Sequence, residues 1–289
     1  MNIGKLGVWY FTDVLSATGA AEFARTVEGL GYGALWYPEA TGRNSMAHGS
    51  WLLSQTTKLV VATGIANIYA RDAQAMHAAR QALDEQSNGR FLLGLGVSHA
   101  PLVESLRGHN YTKPLTFMRE YLEKMEQATY QAPAPAQRGE LVLAALGPKM
   151  LELSGQKTDG AHPYNVTPEH TARARKILGP DKKLYVEQKV CLETDSERAR
   201  AVARSILSMY LPLPNYRNAW FGMGFTEADV DGTSDRFLDA MVAWGEESAI
   251  ADKIQAHLEA GADHVCIQPL GAENRPEMKV LEAMAKRFN

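Results

Sequence analysis

Eight short apolar runs, each followed by a stretch with helical spacing, set what this chain can become. The clearest is Gly89-Arg90-Phe91-Leu92-Leu93-Gly94-Leu95-Gly96-Val97-Ser98-His99, where a turn glycine opens an apolar run that ends on a serine and a histidine. Such a run is apolar on both faces, as a strand buried in a parallel sheet must be. The others are Leu6 to Phe11, Ala34 to Tyr37, Leu59 to Ile65, Leu141 to Leu146, Gly160 to Asn165, Leu184 to Leu192 and His264 to Pro269. Between them, sets such as Phe23, Val27, Leu30 and Leu115, Met118, Leu122, Met125 recur every three or four residues, the period of a helix with one buried face. Pro114 and Pro168 suit first helical positions, and Thr167 and Asp195 suit caps.

Eight alternations of strand and helix close most naturally into a (β/α)8 TIM barrel, with a doubly wound sheet as the other architecture. The 289 residues exceed the roughly 250 typical of such a barrel by little, so a single domain over residues 1–289 is expected. The excess falls between the seventh and eighth strands, from Leu211 to Gly245. Pro212, Pro214, Thr226 and Ser234 supply turn and cap signals there, and the segment reads as a helical insertion. Its Tyr216, Trp220, Phe221 and Met223 could form a lid or serve packing.

A net charge of -3 gives no general attraction to nucleic acid or to anionic membrane. Cys191 and Cys266 lie inside apolar runs and read as buried free thiols of a reducing compartment. Met1 to Lys5 lacks the pattern of a signal peptide, and no apolar run approaches ~18 residues. A cytoplasmic protein is expected.

In a TIM barrel the active site gathers at the C-terminal ends of the strands. The residues there are Tyr10, Glu39, Arg43, Asn67, Tyr69, Arg71, Ser98, His99, Gly147, Lys149, His162, Tyr164, Asn165 and Gln268. Aromatic, amide and imidazole groups with few carboxylates suit a planar hydrogen-bonding ligand better than a metal. His99, His162, His170 and Glu39 show no metal-ligand spacing, so no metal is assigned. His99 is the first candidate for proton chemistry, since imidazole titrates near neutrality. His162 is the alternative, and either could equally serve a turn or a backbone bond. His48, His77, His109 and His257 are expected on helices or surface loops, in solvent. Gly147-Pro148-Lys149-Met150 opens a helix directly after a strand, where free N–H groups beside a lysine suit a phosphate. Gly94-Leu95-Gly96 lies within a strand and lacks the third glycine of a dinucleotide fingerprint.

Leu35-Trp36-Tyr37-Pro38-Glu39, Ala62-Thr63-Gly64-Ile65, Ser87-Asn88-Gly89-Arg90-Phe91-Leu92-Leu93-Gly94-Leu95-Gly96 and Ala145-Leu146-Gly147-Pro148-Lys149-Met150-Leu151 occur in this order, and Gly261-Ala262-Asp263-His264-Val265 follows. This series resembles the bacterial luciferase-like monooxygenase superfamily, most closely its branch of oxidoreductases that use the 8-hydroxy-5-deazaflavin coenzyme F420. The resemblance implies a barrel with the deazaflavin in its mouth, a homodimer, and hydride transfer between the cofactor and a small organic substrate. It implies a non-proline cis peptide within Gly64-Ile65-Ala66-Asn67, backing the ring, and a phosphate contact at Gly147 and Lys149 beside Met150. Ser98, Asn67, Tyr69 and Glu39 would then line the ring and substrate pocket, with His99, His162 and Glu39 as candidates for catalysis. An FMN-dependent monooxygenase and a non-catalytic flavin-binding barrel are the other readings. The sequence departs from the family where Ala40, not histidine, follows Glu39, and where His99 replaces the carboxylate of some relatives.

Overall fold

In the computed structural model, which describes residues 1, 3–271 and 276–288, the apolar runs become parallel strands. These are β1 (Leu6–Trp9), β2 (Ala34–Tyr37), β3 (Val60–Thr63), β4 (Ala66–Asn67), β5 (Phe91–Gly96), β6 (Leu141–Leu143), β7 (Gly160–Ala161), β8 (Lys183–Cys191), β9 (Val242–Trp244) and β10 (His264–Pro269). Strand β10 pairs with β1, Val265 opposite Leu6, and also with β8, His264 opposite Tyr185, which closes the barrel. Strand β4 resumes the line of β3 after a bulge and pairs with β5, while β9 adds beside Lys189–Cys191 of β8.

The helices are α1 (Ala17–Gly29), α2 (Ser45–Ser54), α3 (Ala73–Ser87), α4 (Pro114–Glu126), α5 (Pro148–Lys157), α6 (Pro168–Leu178), α7 (Ser196–Leu207), α8 (Pro214–Gly222), α9 (Glu227–Asp231), α10 (Asp235–Met241), α11 (Glu247–Glu259) and α12 (Met278–Phe288). Their starts follow local chemistry. Thr167, Asp195, Thr226 and Ser234 each accept a backbone N–H three residues on, and Pro114, Pro148, Pro168 and Pro214 open helices. No helix among the described residues is long and apolar enough to cross a membrane.

Alternation along the strands sorts side chains into two cores. Leu6, Val8, Leu35, Tyr37, Val61, Phe91, Leu93, Leu95, Val186 and Ile267 pack outward against the helices. Trp9, Ala34, Trp36, Ala62, Leu92, Val142, Tyr185 and Cys266 fill the barrel and merge with the apolar faces of α8 and α10. Both cysteines are buried free thiols.

The runs Leu6 to Phe11 and Leu141 to Leu146 keep strand geometry only to Trp9 and Leu143, and other expectations change further. The third strand stops at Thr63, because the chain turns at Gly64–Ile65 and restarts as β4. The sixth keeps two residues before Pro163, which has no N–H for a ladder. The insertion begins earlier than Leu211: α11 packs on β8, β10, α6 and α12 as the barrel's own helix, whereas α7 packs on α10. The excursion therefore includes α7 to α10, and its last residues form β9 rather than helix. Finally, His48 and His257 are buried, not solvated. His48 Nε2 meets Thr12 Oγ1 at 2.8 Å, and His257 joins Thr171 Oγ1 at 2.8 Å to Gln188 Oε1 at 3.0 Å.

Candidate active site

The mouth is organised around the bulge after β3. The Gly64–Ile65 peptide is cis, as the resemblance implies, and contacts fix it from every side. Trp9 Nε1 donates to Gly64 O at 3.1 Å, Gly64 N donates to Tyr37 O at 2.8 Å, and Glu39 N donates to Ile65 O at 3.0 Å. Thr63 Oγ1 donates to Gly94 O at 2.9 Å. Gly94 and Gly96 clear the space beneath: a Cβ on Gly94 would strike Thr63 O, and one on Gly96 would lie 2.6 Å from Ile65 Cδ1. The glycines of β5 thus accommodate the bulge and bind no nucleotide themselves.

Glu39 braces the same bulge. Its carboxylate accepts Ser45 N at 3.1 Å, Asn67 N at 2.9 Å and both terminal nitrogens of Arg71. Burial pushes this carboxyl up, yet Arg71 and the two N–H groups outweigh burial and hold it below its ordinary value. Glu39, named from the resemblance as a pocket-lining and catalytic candidate, is here an ionised strut for the bulge. Asn67 is buried in β4, where its Oδ1 accepts Tyr69 N at 2.9 Å.

His162 follows β7 and is 1% exposed. Its Nδ1 donates to Tyr185 O at 2.9 Å, and its ring stacks on Trp36 with centroids 4.4 Å apart. Among the described residues its Nε2 has no partner, and it sits 3.0 Å from where a Cβ on Gly64 would stand. Burial lowers its pKa to about 4, against the opposing effect of the Tyr185 bond. His162 lies beneath the bulge, sealed from the mouth, and is corrected from a proton donor to a support.

His99 stands at the open end of β5, half-buried, beside Ser98, whose backbone is left-handed at φ +57°. Burial lowers the His99 pKa to about 4, leaving the imidazole neutral near pH 7. Tyr111 Oη donates to Ser98 O at 3.1 Å. Asn215 of α8 approaches Ser98 O at 3.3 Å, Tyr111 Oη at 3.2 Å and His99 Nδ1 at 3.5 Å through its Nδ2. The Tyr216 ring lies 5.3 Å from that of His99. The inserted segment thus roofs the mouth.

Beneath this roof Tyr164, Asn165 and Gln268, expected at strand ends, join Lys189, Glu187 and Tyr210, which the sequence reading missed. Lys189 Nζ, fully buried, bonds Asn165 Oδ1 at 2.6 Å and Glu187 Oε1 at 3.1 Å, and lies 3.9 Å from the Tyr164 ring centroid. Tyr164 Oη is 2.7 Å from Tyr210 Oη and donates to Gln268 Oε1 at 2.8 Å. The signal was present: Tyr185, Glu187 and Lys189 alternate along β8, the mark of a polar face inside a barrel.

Gly147 and Lys149 are exposed at the start of α5, with Met150 partly exposed beside them. Nothing comes within 4 Å of a Cβ built on Gly147, and the first N–H groups of a helix lack internal partners. Three other rim candidates turn away. The Tyr10 ring packs on Phe23 at 5.2 Å, and Arg43 donates to Thr12 O at 2.9 Å. Tyr69 stacks on Phe117 at 4.5 Å in a flanking cleft of about 350 Å³, shared with His109 and Tyr121. Around the bulge, Gly64, Ile65, Val97, Ser98, His99, Ala144 and Leu146 remain partly exposed at the strand ends that precede Gly147.

Comparison with known proteins follows this geometry. The sequence profile of the family described as luciferase-like monooxygenase matches residues 5–264. A Mycobacterium tuberculosis protein named as a coenzyme F420-dependent oxidoreductase is 27% identical over 78% of this chain and 60% of its own length. The 5,10-methylenetetrahydromethanopterin reductase of Methanolobus tindarius is 27% identical over 63% of each chain. The matches thus span less than two thirds of these relatives. Among solved structures, an F420-dependent secondary alcohol dehydrogenase with an F420-acetone adduct aligns over 99% of this chain and 98% of its own, with TM-score 0.80 and 14% identity. The oxygenating constituent of 3,6-diketocamphane monooxygenase from Pseudomonas putida, in complex with FMN, covers 99% and 97% with TM-score 0.72 and 15% identity. Both likenesses are of fold, the TIM barrel.

Proposed function

From the premise that this chain belongs to the luciferase-like monooxygenase family, we propose that it is a coenzyme F420-dependent oxidoreductase acting on a small organic substrate. The observation that carries the reading is the braced, partly exposed Gly64–Ile65 ledge, a flat backbone surface at the mouth against which a planar ring can rest. The residues present fit the cofactor. Gly64, Ile65 and Ser98 would hold the ring, and Gly147, Lys149 and Met150 would meet its phosphate at the helix start. A bound deazaflavin supplies a carbon centre that exchanges a hydride, a two-electron chemistry that needs no oxygen.

The chain's own residues then perform four tasks. Trp9, Tyr37 and Glu39 fix the ledge. His99, neutral near pH 7, would offer a hydrogen bond at the tip of β5. Tyr164, Tyr210 and Tyr216 wall the substrate side. Asn215 and Tyr111 join the roof to the tip of β5.

FMN is the second reading, favoured by its presence in a neighbour of the same fold. Equilibrium titration of the purified chain with F420 and with FMN separates the two. Saturable deazaflavin binding is expected, and FMN binding without deazaflavin binding overturns the choice.

A further inference from the structure

Asn215 reaches the mouth from α8, outside the barrel proper, and its amide nitrogen faces three acceptors. One of them fixes the amide's orientation. Ser98 O is a carbonyl oxygen that only accepts, so the NH2 end of Asn215 must be the end that faces it. The same nitrogen lies 3.5 Å from His99 Nδ1. An NH2 group has no lone pair to offer, so a proton on Nδ1 would point at other protons. Two hydrogens serve three acceptors here, and the arrangement that keeps all three contacts free of a clash is a bare His99 Nδ1, with the proton of the neutral imidazole on Nε2. Among the described residues no group bonds that Nε2. The Tyr216 ring lies 5.3 Å from the imidazole, and Tyr111 is joined to it through Asn215.

We propose that Asn215 holds His99 in the Nε2–H tautomer, making it a fixed hydrogen-bond donor for the oxygen of a carbonyl substrate. This rests on the oxidoreductase reading: reduction of a carbonyl gathers negative charge on its oxygen, and a preoriented donor stabilises that charge. A neutral imidazole polarises the carbonyl without surrendering a proton, so the proton that completes the alcohol comes from water. Asn215 is a positioning residue and acts through His99.

The test reads the tautomer directly, by NMR of the imidazole nitrogens in the full chain, alongside Asn215→Asp and Asn215→Ala. The wild-type chain is expected to show the Nε2–H pattern at about pH 7. In Asn215→Asp the new carboxylate accepts from Nδ1, so the pattern moves to Nδ1–H and the titration shifts up by about 1–3 pH units. In Asn215→Ala the two tautomers mix. A wild-type chain with Nδ1 protonated overturns the proposal without any variant, as do folded variants that keep the wild-type pattern. Deazaflavin titration runs in parallel: absent binding with the Nε2–H pattern intact defeats the functional reading and leaves the tautomer assignment standing.

Discussion

Replacing Arg71 by Met removes the cation that faces Glu39 while keeping most of the side chain's bulk. The side chains of Arg71 and Glu39 are 10% and 4% exposed, so little water can reach the carboxylate left behind. Stripping one partner from such a pair costs about 3–5 kcal/mol, a large part of the roughly 5–15 kcal/mol that holds a domain folded. The melting temperature should fall by on the order of 10 °C. The pH dependence carries the sharper prediction. In the wild-type chain the folded Glu39 carboxyl lies below its ordinary value. Its stabilisation is therefore full above the unfolded value of about 4.3 and is lost as pH falls through the folded value. Without Arg71, burial dominates and the folded carboxyl rises above 4.3, so the penalty is greatest above that raised value and fades on acidification. The gap between the two proteins should thus close as pH falls. Adding Glu39→Gln to Arg71→Met should recover at least ~1 kcal/mol, because no buried charge is left unpaired. Urea unfolding at several pH values measures all three, and a loss under ~1 kcal/mol or a gap that widens in acid refutes the account.

Gly94→Ala would drive a Cβ into Thr63 O, and overpacking of this kind costs about 1–3 kcal/mol; thermal melts should show the loss, with weakened deazaflavin binding. Gly147→Asp meets open space at the N-cap of α5, so stability should hold or rise by a few tenths of a kcal/mol, while like-charge repulsion weakens cofactor binding by roughly tenfold. Unchanged affinity by fluorescence titration would remove the phosphate from Gly147. Lys189→Met strands Glu187, which is 1% exposed, and should destabilise by about 3–5 kcal/mol, with Glu187→Gln in the same chain restoring part of it.

The barrel was legible wherever a strand's ends were marked locally. Ala34–Tyr37 stops before Pro38 and His264–Pro269 ends on its own proline, and both spans are as the sequence implies. Helix starts were readable for the same reason, since a cap acts within three residues. What hid was long-range. Nothing near Glu39 announces that Arg71, thirty-two residues on, takes both its oxygens, and nothing near His99 announces Asn215, 116 residues on. His162 looked accessible because a histidine after a strand usually is; the Trp36 ring beneath it and Gly64 above it seal it in.

Strand β9 carries one more consequence. The chain leaves β8 at Cys191 and comes back with Trp244 directly opposite Cys191, so the excursion starts and finishes at one point on the rim. A detour with both feet on the same stave can lengthen, shorten or change composition without altering the register of any other. Closing a longer loop adds only about 0.6 kcal/mol per doubling of length. The roof over the mouth is thus a replaceable part on a fixed frame, and exchanging residues 192–241 between relatives should transplant substrate preference while the cofactor ledge stays as it is.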